Sequence, residues 1–308
     1  MDKIISVIQT VLPVFIALLL GMLCRQKNFV SRDGIDTMKK VVINMTLPFI
    51  LLNAFATAEY SVRTIVIPVF MFAVCCFTLF LGFTISRLFK IKSKLAPFLA
   101  SGCEAGMIGY ALFVLLFPDK SVSSFAILDI GQTLFVFTVF KIAISSERNI
   151  KRIWHDMVHT PILWATAAGV LIGATGLYRL LSEIRVNGIL DSATSFLSAP
   201  TGMIILLVIG YDLSIRQIPW KQTASMIALR LFVSAAAFFL IILVNRTLLN
   251  SMIFEGAALL MFILPPPFVI PVFADDPNER GKVSASLSAM TMVTIIFFAV
   301  LVLILGIQ

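Results

Sequence analysis

Ten stretches of the chain are almost continuously apolar, at roughly 4–24, 38–57, 65–88, 95–117, 121–143, 161–178, 194–212, 223–245, 252–274 and 283–306, and short polar segments separate them. Runs of about 20 apolar residues cross a bilayer as helices. Lipid offers no partner to unpaired backbone groups, so a span must satisfy its own and is expected to be helical. The pattern predicts an all-α polytopic membrane protein with ten transmembrane helices. The longest polar connection, 144–160, is basic and amphipathic, which suits the cytoplasmic membrane face.

That connection divides the chain into 1–143 and 161–308, each with five expected spans. Five is odd, so the second half starts on the opposite side of the membrane. Any repeat between the halves is therefore inverted, a common transporter plan. Pro48 and Pro200 each fall in the second span of their half. Prolines are frequent in membrane helices, so that pair alone is weak. Spans 4 and 9 correspond in the same way and carry stronger signals. Span 4 contains Gly102, Glu104, Gly106 and Gly109. Span 9 contains Pro265, Pro266 and Pro267 in a row. Three successive prolines remove three N–H donors and clash with carbonyls one turn earlier, so a straight helix cannot continue. Corresponding Gly- or Pro-broken spans point to a transporter's binding site, where broken ends present N–H groups and carbonyls.

Composition agrees and excludes much else. Of 308 residues, 59% are hydrophobic and 13% charged, with a mean hydropathy of +1.02. That excludes a soluble enzyme, a disordered chain and a disulfide-stapled secreted domain. The formal charge is +8. Seventeen of the 24 Lys and Arg lie in or beside the loops 1–2, 3–4, 5–6, 7–8 and 9–10, and six lie on the other side. The positive-inside rule then places both termini outside the cytoplasm. The N-terminal run reads as the first span and not a signal peptide, since it lacks a basic leader and a cleavage site. The basic charge faces anionic lipid and not nucleic acid. Cys24, Cys75, Cys76 and Cys103 have no metal-ligand or disulfide spacing. His155 and His159 fall in the long polar loop.

Polar residues within apolar runs are the candidates for chemistry. A central acid costs about 2.5–3.5 kcal/mol to insert, so Glu104 is expected either to couple protons, to meet a cationic group on a substrate, or to serve as a neutral hydrogen-bond donor. Asp129 and Gln132 are three apart and share a helix face. Asp129 is a second proton-coupling candidate. Asn44 and Asn53 flank Pro48 and either line a cavity or pair with backbone. Arg230, two turns inside span 8, is expected to snorkel to lipid phosphate. Glu255 is read as interfacial, and Asp212, Asp275 and Asp276 as solvated. Enzyme readings fail for want of parts: no paired intramembrane aspartates, no histidine in a span, no His-Glu-x-x-His.

Together several segments resemble the auxin efflux carrier family, which includes plant PIN carriers and bacterial malate permease-like proteins. They are Val41-Val42-Ile43-Asn44-Met45-Thr46-Leu47-Pro48, Gly106-x-x-Gly109, Leu128-Asp129-Ile130-Gly131-Gln132 with Phe135-Val136-Phe137, Arg230-Leu231, and the broken proline run. The resemblance implies two inverted five-helix repeats, with spans 1, 2, 6 and 7 as scaffold and 3–5 with 8–10 as a transport domain. It implies broken helices 4 and 9 crossing beside the substrate, and elevator-like movement of organic anions without ATP. Carried over by position, the substrate site comprises Asn44, Glu104, Gly106, Gly109, Gln132 and Pro265 to Pro267. The chain departs from the family pattern at Glu104, where the family usually has Asn, and at Ala111, where it has proline. An acid beside an anion site repels a carboxylate unless it is protonated, so a zwitterionic or cationic substrate is also open.

The expected function is a secondary transporter of a small organic solute, an organic anion first, in a bacterial plasma membrane. No cofactor is expected; H+ or Na+ is the candidate coupling ion. The alternatives are a sodium symporter of the bile-acid type and a solute-sensing or lipid-handling membrane protein without net transport. The partners are the solute and the bilayer, and a monomer and a homodimer both fit.

Overall fold

The computed structural model describes residues 2–58, 62–91, 93–144, 161–213, 220–270 and 277–307. The amphipathic segment 145–160, with both histidines, and Pro271, Asp275 and Asp276 lie outside the described residues. Among the described residues the structure is helical with no strand. In chain order the helices are α1 (Asp2–Gln26), α2 (Arg32–Val41), α3 (Leu47–Ala56), α4 (Val62–Leu88), α5 (Ala96–Ala100), α6 (Tyr110–Leu116), α7 (Ser123–Phe135) and α8 (Lys141–Ile144). There follow α9 (Pro161–Ala174), α10 (Leu177–Glu183), α11 (Asn187–Ser198), α12 (Thr201–Asp212), α13 (Trp220–Thr247), α14 (Glu255–Ile263) and α15 (Pro277–Ile307).

Among the described residues, six helical segments are continuous, long and apolar enough to cross a membrane: Arg32–Ala56, Ile65–Leu88, Ser123–Ile144, Asn187–Asp212, Thr223–Thr247 and Ala285–Ile304. They fall on expected spans 2, 3, 5, 7, 8 and 10. The first expected span lies in α1, whose apolar stretch over described side chains is Leu12–Gln26. Span 6 differs from the straight helix expected over 161–178. α9 ends at Ala174, the chain turns through Gly176 at φ 72°, and α10 leaves at 62° to α9. Glycine takes this left-handed conformation without the Cβ clash other residues meet. Spans 4 and 9 are broken, as described below.

Large apolar side chains point outward along these helices. Ile65, Val69 and Phe80 on α4, Phe232 and Phe239 on α13, and Ile296 and Ile304 on α15 are all exposed. In water such a surface would aggregate; hydrocarbon is the solvent it fits. With lipid outside, burial of apolar area cannot drive helix association, so close packing must. α1 packs against α12, and α3 against α9. At the first contact Gly21 lies on the backbone of Leu207 and Tyr211, and Gly210 lies on the backbone of Leu18. A Cβ at either position would overlap main-chain atoms, which cannot swing aside as a side chain can. Gly210→Leu is expected to lower stability by about 1–3 kcal/mol through overpacking, read as a lower melting temperature in detergent. A melting temperature equal to wild type would show that the two helices separate freely.

Candidate functional site

The two interrupted helices owe their breaks to different residues. α5 ends at Ala100, Ser101 is extended, and Gly102 adopts φ 64°. A Cβ at Gly102 would come within 3.0 Å of Pro267 Cγ as well as straining the backbone. Helical geometry resumes at Ala105 as a wide π-turn, Ala105–Gly109, that leads into α6. α14 ends because prolines follow. Leu264, preceding Pro265, is forced to ψ 152°, outside the helical region.

The breaks meet and are stitched through the main chain. The Glu104 N–H donates to Pro265 O at 2.8 Å, and the Phe268 N–H donates to Glu104 Oε2 at 2.6 Å. Phe268 is the first residue after the three prolines with an N–H to give. Glu104 therefore clamps the proline run at both ends, with its backbone on Pro265 and its side chain on Phe268. Gln132, on α7, braces the other break. Its Nε2 donates to Cys103 O at 2.7 Å, and its Oε1 accepts from Cys103 N at 3.3 Å. The side-chain amide thus replaces the helical partners that Cys103 lost.

Arg230 does not snorkel to lipid, contrary to the expectation above. It is 5% exposed, and its guanidinium turns inward from α13. Nη1 donates to Leu99 O and Gly102 O, both at 3.1 Å, and Nη2 donates to Gly102 O at 3.1 Å and to Leu264 O at 2.5 Å. These carbonyls belong to the ends of α5 and α14 and the turn between α5 and Ala105. The breaks had left them without the donors a continuous helix supplies, which gave the arginine a stronger pull than the lipid headgroup.

Beside the crossing lies a cavity of about 740 Å³. Glu104, Gly106, Asp129, Gln132 and Pro267 line it. The remaining candidate residues do not. Asn44 is exposed and stands apart from the wall, Pro265 and Pro266 are buried, and Gly109 packs on Phe125 and Leu264. Three π-turns border the cavity: Val42–Thr46 supplies Ile43, Ala105–Gly109 supplies Ala105 and Gly106, and Val136–Phe140 supplies Val136 and Phe137. Such turns widen a helix locally and recur at functional sites.

Within the wall, Asp129 is 7% exposed. Its Oδ2 accepts from Tyr110 Oη at 2.9 Å and its Oδ1 from Thr133 Oγ1 at 3.2 Å. Neither donor was singled out from sequence, although Thr133 stands one helical turn after Asp129 and so had to share its face. The cavity runs to a cluster of charges: Arg32, Asp36 and Lys39 on α2 and Asp212 at the end of α12. Asp212 pairs with Arg32 and, at 2.7 Å, with Lys39, while Lys39 also reaches Asp36 at 3.5 Å. Asp212 is thus an ion-pair centre and not the freely solvated end group expected. Glu255, read above as interfacial, is half-buried and holds Arg246 through two hydrogen bonds of 2.8 and 2.9 Å.

Taken together, the chain offers a largely apolar pocket at the junction of two broken helices, with Glu104, Asp129 and Gln132 near the crossing and the charges of Arg32, Asp36, Lys39 and Asp212 at its other end. Among the described residues no His, Cys, Asp or Glu cluster is suited to a metal. That arrangement suits reversible holding of a small solute. The comparisons with known proteins agree. A curated protein from Methanothermobacter thermautotrophicus, named an uncharacterized transporter, is 26% identical over 219 residues, 68% of each chain. The family model described as membrane transport protein matches residues 6–152, which hold the first break, Asp129 and Gln132. On that match the first half of the chain is similar to membrane transport proteins.

Proposed function

We propose that this protein is a secondary transporter that carries a small organic solute, an organic anion first, across a bacterial plasma membrane by alternating access and without chemical conversion. The observation that carries the reading is the junction of the two broken helices on a cavity of about 740 Å³, with Glu104, Asp129 and Gln132 in its wall. Continuous helices would satisfy their own backbone and leave nothing to bind with. Broken ones present polar main chain at depth, which membrane proteins tolerate only where it is buried or lines a cavity.

In this reading the chain is two inverted five-helix repeats, 1–143 and 161–308, joined by 144–160. The reciprocal packing of α1 on α12 and of α9 on α3 supports it, because each pair joins the first span of one half to the second span of the other. These four spans form the scaffold. α4 to α8 with α13 to α15 form the moving part, which carries the crossing. The lysine and arginine asymmetry puts both termini outside and the charge cluster of Arg32, Asp36, Lys39 and Asp212 on the cytoplasmic side, so the cavity faces inward. Glu104 and Asp129 are the proton-carrying candidates. A protonated Glu104 is neutral and admits an anion, whereas an ionised one repels it.

The test is solute binding followed by transport. A ligand that binds the native state raises its melting temperature, so the purified protein is screened against carboxylates, amino acids and amines at two pH values. Hits are then assayed for counterflow in proteoliposomes. The expected result is a carboxylate that stabilises the protein more at the lower pH and exchanges across the membrane. Stabilisation with no counterflow would replace the transporter reading with a sensing one, and stabilisation by amines alone would reverse the charge of the substrate.

A further inference from the structure

We propose that the Arg230 guanidinium is the resident cation of the helix crossing, occupying carbonyl oxygens that would otherwise form a monovalent-cation site, and that it makes this protein indifferent to sodium. Breaking two membrane helices side by side creates a concentration of carbonyl oxygens with no amide donors. In other transporters built on discontinuous helices, unwound carbonyls and half-helix C-terminal ends of this kind coordinate the coupling Na+. Here Leu99 O, Gly102 O and Leu264 O converge on one side chain and receive four hydrogen bonds from it. The planar fork of an arginine suits this set better than a lysine would. Both terminal nitrogens share Gly102 O, while each takes a further oxygen from a different broken helix.

A cation tethered to α13 differs from a free ion in one decisive respect: it neither arrives with the substrate nor leaves with it. It holds the two breaks together throughout the cycle and carries no free energy from a sodium gradient. Gly102, at φ 64°, lies in the turn that ends the first broken helix, and its carbonyl accepts from both terminal nitrogens of Arg230. The inference rests on the crossing and not on which solute is carried, so its test uses ligand-free protein.

Melting temperatures are measured for wild type, Arg230→Ser and Arg230→Lys in sodium, lithium and N-methylglucamine chloride at equal ionic strength. Wild type is expected to melt at one temperature in all three. Arg230→Ser is expected to melt lower in N-methylglucamine and to regain stability, saturably, as sodium or lithium replaces it. Arg230→Lys keeps a cation without the fork and is expected to be intermediate and insensitive to sodium. Saturable stabilisation of wild type or of Arg230→Lys by sodium overturns the proposal. So does an Arg230→Ser protein as stable as wild type in N-methylglucamine, or one that no small cation restores. If the serine protein cannot be recovered, the wild-type and lysine measurements decide alone.

Discussion

Glu104→Gln is expected to leave the protein folded and to flatten the pH dependence of solute binding. A glutamine at this position keeps a side-chain oxygen that can accept from Phe268 N–H, the 2.6 Å bond that holds the far side of the proline run. The main-chain bond from Glu104 N to Pro265 O is indifferent to the side chain. The melting temperature should therefore stay near that of wild type. What the substitution removes is the choice between charged and neutral forms. For an anionic solute the sign is definite: the wild type binds more tightly as pH falls and Glu104 takes up a proton, while a glutamine is neutral at every pH and removes that position's share of the pH dependence. Glu104→Ala separates the two roles. It deletes an acceptor of the Phe268 N–H as well as the titratable group, and leaving a buried donor unsatisfied costs about 1–3 kcal/mol. Melting curves and equilibrium binding at two pH values check both. Unchanged pH dependence in Glu104→Gln would move the proton to Asp129, and an unstable Glu104→Gln protein would make the acid a structural element first.

A larger loss of stability is expected at Gln132. Its amide both donates to and accepts from the Cys103 peptide group, at 2.7 and 3.3 Å, and the side chain is 5% exposed. Leucine has nearly the same size but neither function. Gln132→Leu strands a buried carbonyl and a buried N–H together, so a loss of about 2–5 kcal/mol is expected from two unsatisfied groups. Gln132→Glu tests direction. A glutamate can accept from Cys103 N but, when ionised, turns an oxygen toward Cys103 O, so it should be destabilised and partly recovered as pH falls and the acid regains a donor. The measurement is the melting temperature of the three proteins at two pH values. A Gln132→Leu protein as stable as wild type would mean that the first break holds itself open without this brace, and would leave Gln132 to the solute alone.

The parts of this site that were legible in the sequence are those that depend on residue type alone. Three consecutive prolines lack three donors wherever they are placed, and the helix does end just before them. Glu104, Asp129 and Gln132 stood out because polar groups in apolar runs are costly, and all three reach the cavity wall. Asn44 carried the same signal, yet it is exposed and apart from that wall. Nothing in its immediate neighbours records which way a wide turn will point it. The direction of Arg230 is hidden for a similar reason. A cation two turns inside a span reads alike whether it leans toward headgroups or inward, and the carbonyls that decide lie 34 and 131 positions away in sequence. The bend after Ala174 rests on one glycine at a positive φ, a cue too common in membrane helices to have been weighed. The transport reading itself came from order and spacing of short motifs, and the relative with 26% identity and the family match over 6–152 give it the same class.

The three π-turns have a consequence in chain length. Each holds one residue more than the regular helix around it needs, so each behaves as an insertion that the fold has absorbed without a loop. Removing a single residue from Val42–Thr46, for instance Asn44, would let the segment Arg32–Ala56 close into a regular α-helix. Because the wide turn takes up the extra residue within itself, the residues after the deletion would keep their facing, and Leu47 and Leu51 would still line the cavity. What would be lost is the local widening that carries Ile43 to the wall. For a carrier of this build, a one-residue gap at these turns reshapes the wall at one point and leaves the rest of the helix in register.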